Sequence, residues 1–224
     1  MKASDIVALP LGLGSAIRRR RVFHPAGVIA NGSLERIAPP GEGLPVDSSE
    51  VIGRVSKAIG LPGALPDLIG LAIRIPPQPF AATPWDILTA STGSGRLTRF
   101  ALRPVTSWQA PMTTLMPLRY HGKYWWIRAQ MTSTFDADGL SLDDAIEHLN
   151  RDGLEYRLDQ ACGSNDFEPL AAVRLEDVVP AGPSRDVAFD PTIHSAPDVK
   201  LAPEWLTDIR RRAYERSREG RQAG

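Results

Sequence analysis

Arg21-Val22-Phe23-His24-Pro25-Ala26-Gly27, continued by Gly32 and Glu35, sets one imidazole among a guanidinium, two glycines and a carboxylate. A histidine titrates near neutrality, so it can take a proton from one atom of a ligand and return it to another. Three more segments follow in order. Arg54-Val55-Ser56 has Gly60 six residues after the arginine, then comes Asp67-Leu68-Ile69-Gly70-Leu71-Ala72-Ile73-Arg74, then Trp85-Asp86-Ile87-Leu88. Near the end, Ser195-Ala196-Pro197-Asp198 precedes Arg210 and Tyr214, which are four residues apart. On a helix that spacing puts both on one face. A tyrosine ionises near pH 10, and a guanidinium one turn away favours its phenolate.

Each of these residues also has a plain structural reading. His24 fits a strand histidine bonded to a loop, Arg54 an exposed basic residue, and Tyr214 an aromatic packing the last helix. The remaining histidines, His121, His148 and His194, have no metal-ligand spacing between them. Thr92-Gly93-Ser94-Gly95 lacks the lysine and length of a phosphate loop and suits a hairpin connection. No serine sits in a nucleophile-elbow pattern.

Taken in order along the chain, the four segments between residues 21 and 88 and the Ser195–Asp198 loop resemble haem catalases. The resemblance implies a catalase-like antiparallel β-barrel and a haem b cofactor. His24 would be the distal acid/base residue and Phe23 would press on the porphyrin. Arg21 and Arg54 would meet the propionates as guanidinium forks meet carboxylates, with Ser56 beside them. Tyr214 would be the proximal iron ligand, its phenolate favoured by Arg210. The implied substrate is a peroxide or organic hydroperoxide. One departure bears on the reaction. Catalases carry an asparagine pair after the tryptophan-aspartate strand, where this chain has Thr89-Ala90-Ser91-Thr92. Ser91 could offer a weaker hydroxyl there. The 224 residues are also far fewer than a full catalase has. Peroxidase-like reduction or rearrangement of organic peroxides is therefore expected over rapid disproportionation. The alternative is a non-catalytic barrel that binds haem or another apolar ligand.

The elements that must position these residues read as mostly β. Twenty prolines and nineteen glycines keep the apolar runs short. Strands are predicted at Val28–Ala30, Val51–Val55, Leu68–Ile75, Leu97–Leu102, Leu115–Tyr120, Tyr124–Thr134, Tyr156–Ala161 and Ala171–Leu175, with another opened by Trp85-Asp86. Gly122-Lys123 suits a hairpin turn. In the Tyr124–Thr134 strand, Trp125 and Trp126 must face opposite ways. Ser141 is the expected N-cap of a helix ending near Gly153. A second helix starts after Pro203. The fold class is mainly β (α+β), one domain. Its barrel core is expected over 21–178, a surface excursion over 179–203 and a C-terminal helix over 204–221, which the catalase resemblance implies would close the haem site. Val187, Phe189 and Ile193 would dock the excursion.

Charge and composition narrow the partners. With 26 basic and 26 acidic residues the formal charge is +0, so no whole-chain field favours nucleic acid. Cys162 is the only cysteine, which leaves no intrachain disulfide. No apolar run approaches the roughly 20 residues of a membrane helix, and the early apolar stretch is broken by Pro10, Gly12 and Gly14. The expectation is a cytoplasmic protein, with a homodimer left open.

Overall fold

In the computed structural model, residues 26–63, 65–78, 81–93, 95–96, 98–180 and 187–203 are described. The fold is mainly β. Its strands are β1 (Ala26–Arg36), β2 (Ser49–Lys57), β3 (Ile69–Ile75), β4 (Trp85–Ser91), β5 (Met112–Thr113), β6 (Leu118–Tyr120), β7 (Lys123–Met131), β8 (Leu154–Cys162), β9 (Glu168–Val178) and β10 (Lys200–Leu201). One described helix, α1 (Leu142–Asp152), joins β7 to β8. Eight strands close an antiparallel barrel in the order β1-β2-β3-β4-β5-β7-β8-β9 and back to β1. One edge of β7 is shared: β6 takes its first half and β5 its second. β10 adds to β6.

Alternation fills the barrel. Val28, Val55, Leu71, Ile73, Ile127 and Leu158 are buried and belong to one core cluster, because successive residues of a strand point to opposite faces. The β6–β7 hairpin turns through His121 and Gly122, both with positive φ, at 46° and 75°. That is the geometry a two-residue loop needs to match strand twist. Ser141 caps α1, its Oγ accepting from the Asp144 N–H at 3.3 Å. At the other end Gly153, with φ 81°, donates to Leu149 O. The buried Ala145 and Leu149 turn the helix onto the barrel.

Side-chain to backbone bonds order the loops. The Arg36 guanidinium donates to the carbonyls of Ala38, Pro39, Glu42, Leu44 and Val46. The buried Asp67 carboxylate accepts from the N–H groups of Ile59, Gly60, Leu61 and Leu68, at 2.7 to 3.0 Å. Lys57, also buried, donates to Leu61 O and to Leu140 O.

Several expectations need correction. No strand forms over 98–102, because Thr98 and Arg99 fold their N–H groups back onto Gly95 O; only Leu102 bridges, to Thr92. The Leu115–Tyr120 strand begins at Leu118, after Leu115 with φ 45°. β5 and β10, two residues each, had no sequence signal. Ile193 does not dock, being 47% exposed, whereas Phe189 lies under the Arg74 guanidinium at 5.3 Å. The expected C-terminal helix over 204–221 falls outside the described residues. No described helix is long and apolar enough to cross a membrane.

Two outcomes follow from this packing. A Cβ on Gly32 would come within 2.0 Å of the Arg174 carbonyl, at the bulge between β1 and β9. Gly32→Ala should therefore cost about 3 kcal/mol, read from the urea midpoint. Burial pushes the Tyr156 phenol far above its ordinary 10.0. The unfolded chain then loses this proton above about pH 10 while the folded one keeps it, so the stability is present below that pH and falls as pH rises. The slope should reach about 1.4 kcal/mol per pH unit and flatten in Tyr156→Phe.

Candidate functional site

With the interior filled, chemistry is left to the outward face. Strand register sets three outward rows across β1 to β4. Gly27, Ser56, Gly70 and Ala90 form the first, Ile29, Arg54, Ala72 and Leu88 the second, and Asn31, Ile52, Arg74 and Asp86 the third. The first two rows are small or apolar except for Arg54. Four strands at about 4.8 Å spacing give a floor roughly 15 Å across.

Arg54 leans over β1. A Cβ on Gly27 would lie 3.1 Å from its Nε and 2.9 Å from the Ser56 Cβ. Gly27 is thus the gap through which Arg54 crosses, three residues beyond His24 in the sequence. Ser56 is buried and its Oγ donates to Gly70 O at 3.4 Å. Of the expected site residues, Arg54 and Ser56 are brought onto this floor. Arg21, Phe23, His24, Arg210 and Tyr214 lie outside the described residues.

The third row is an ionic tie. Asp86, wholly buried, receives Arg74 through Nε and Nη2, both at 2.7 Å. The same carboxylate accepts the Asp190 N–H at 2.7 Å and lies 2.7 Å from His194 Nδ1. Arg74 Nη2 also reaches Ala188 O at 2.8 Å. His194 Nδ1 also lies 2.9 Å from Arg74 Nη2, so this ring nitrogen sits between the guanidinium and the carboxylate. Segment 187–199 is therefore pinned over the end of the floor from one buried carboxylate. The other strand motifs have similar structural work: Asp67 nests a loop and Trp85 is buried in the core.

Ser91 does not reach this face. It shares the inward parity of Ile87 and Thr89, donates to Arg103 O at 2.8 Å, and accepts from Ile69 N–H. Thr89 is likewise spent, on Leu71 O. The outward position is the methyl of Ala90. His121 stacks on Tyr120 and His148 on Phe135, both structural. Among the described residues no group of His, Cys, Asp and Glu could hold a metal ion. The sequence did not reveal His194, which meets Asp86 across 108 residues with no local signal. No protein-family model and no curated protein matches the chain.

Asp86→Asn should cost about 3 kcal/mol, because it removes the charge that compensates the largely buried Arg74. Amide exchange at Asp190 and Thr192 should speed up in the same variant. Unchanged protection there would mean that the segment is held by other contacts.

Proposed function

We propose that this chain is a haem-binding, catalase-related protein that carries out peroxidase-like reduction, or rearrangement, of organic peroxides. One observation carries the reading. Gly27, Gly32 and Glu35 of the first segment lie in β1, Arg54-Val55-Ser56 lies in β2, Asp67–Arg74 runs into β3 and Trp85–Leu88 opens β4. These are consecutive strands of a closed antiparallel barrel, and the first two rows of their outward residues make one floor of small or apolar side chains with Arg54 on it. A flat, largely apolar group with acidic edges fits such a floor: glycine, alanine and serine let it approach closely, and a guanidinium answers a propionate.

Arg54 and Ser56, with Arg21, Phe23 and Arg210, would hold haem b, and Tyr214 would ligate its iron. Bound there, the group supplies a redox-active iron at which a peroxide can be activated. The protein's own part is proton handling. His24 would hold the proton of a bound peroxide and return it to the departing oxygen, which would leave as water or an alcohol. Arg210, four residues before Tyr214 in the sequence, would favour the phenolate.

The non-catalytic alternative has an observation of its own. β4 offers a peroxide only the methyl of Ala90 on this face, both neighbouring hydroxyls being turned inward.

Protein expressed with haem available should show a Soret band at about one haem per chain. Absence of the band after hemin addition would remove the proposal. His24→Ala should keep its haem and lose about 10²- to 10⁴-fold in peroxide turnover. Haem binding with no turnover in the parent protein selects the non-catalytic reading. Tyr214→Phe should alter the haem spectrum, and an unaltered one would move the iron ligand elsewhere.

A further inference from the structure

Beyond β4, the outward face carries Arg96, Arg99, Arg128 and Arg157, and two of them, Arg99 and Arg128, pack over Phe167. Arg128 pairs with Asp159 at 2.6 Å, and Arg157 reaches the same carboxylate at 3.2 Å. Arg96 pairs with Asp166 at 3.1 Å, both at the solvent edge. Those two carboxylates serve three arginines. The fourth, Arg99, is only 3% exposed and makes no ion pair among the described residues.

Arg99 is also held in place. Its carbonyl accepts from Thr113 Oγ1, which ties it to β5. Its guanidinium packs over Phe167 at 4.7 Å and Trp126 at 5.8 Å. Nη2 donates to Asn165 O at 3.1 Å. Nε and Nη1 are buried with no hydrogen-bond partner, and so is Nε1 of the adjacent Trp126. Burial first, then the nearby Arg96, lowers the Arg99 pKa, with Asp166 opposing and Arg128 adding to the fall.

Every unpartnered group in this cluster is a donor, and the local charge is positive. A buried donor left unbonded costs about 1–3 kcal/mol, and an uncompensated buried cation costs more. A water could accept one of these hydrogens without neutralising the charge. An oxyanion does both. We propose that Arg99 and the Trp126 indole N–H anchor a binding site for a small oxyanion, a phosphate or carboxylate group, within the positive field of Arg96 and Arg128. The site stands apart from the β1–β4 floor and does not depend on haem.

The test uses the full chain, titrated separately with inorganic phosphate and with acetate at ionic strength held constant by sodium chloride. Calorimetry and the thermal midpoint are read together. One anion should bind saturably, once per chain, and raise the midpoint. The anion that does so assigns the ligand to the phosphate or the carboxylate class. Arg99→Gln should weaken that binding at least about tenfold, the scale of one charge-assisted hydrogen bond. If that variant does not fold, Trp126→Phe keeps the ring, removes the N–H, and should weaken binding several-fold. No saturable response of the parent protein to either anion, or equal binding by parent and variant, overturns the site.

Discussion

Every strand of the barrel alternates, and the inward half of that alternation is used up by the core. This is the constraint on which the rest of the molecule depends. Ile73, Ile127 and Leu158 are wholly buried in one core cluster, and a small closed barrel filled by its side chains is a scaffold, not a vessel. Any ligand site must then be built on the outside wall, where a sheet ordinarily carries polar side chains. On β1 to β4 it instead carries Gly27, Gly70, Ala72 and Ala90. A smooth outer wall is a departure from the usual division of labour in a strand, and it is what singles out this face.

The loops that border this wall are held by buried ionised groups. Arg36 bonds to the backbone of one loop, Asp67 to N–H groups on both sides of its own, Lys57 joins the carbonyls of Leu61 and Leu140, and Asp86 gathers Arg74, His194 and the Asp190 amide. Such groups hold their charge inside a protein only when their hydrogen bonds are satisfied. The satisfied ones therefore report a fixed loop geometry. Arg99 is the exception, buried with Nε and Nη1 unbonded, and that is the observation on which the proposed oxyanion site rests.

Most of the barrel was legible from period-two patterning. The segment Tyr124–Thr134, with aromatic and β-branched residues after a glycine turn, became β7, and the Ser141 cap marked α1 to the residue. The 97–102 segment misled, since its apolar residues look strand-like while Gly93 and Gly95 allow the tight turns that undo it. β5 and β10 were out of reach: two residues carry no period, and their pairing is decided by the strands beside them. Of the expected site residues, Arg54 and Ser56 share the outward face of β2. Arg99 with Asn165, and Asp86 with His194, are joined across 66 and 108 residues. Nothing local in sequence marks a contact of that kind.

Closure of the ladder also governs how copies of this chain meet one another. A sheet's unpaired margin is a template on which a second chain can add a strand, and long flat margins lead to aggregation. Here the ring closes through the two-residue β5, which pairs only with Ala90 and Ser91 of β4, and β6, outside the ring, is itself covered by β10. The margins left among the described strands are short: Trp85–Thr89 of β4, where the Asp86 N–H is taken by His194 O, and Lys200–Leu201, headed by a lysine. The described strands of a mainly β protein, with a hydrophobic share of 42%, thus offer a second chain only short main-chain templates.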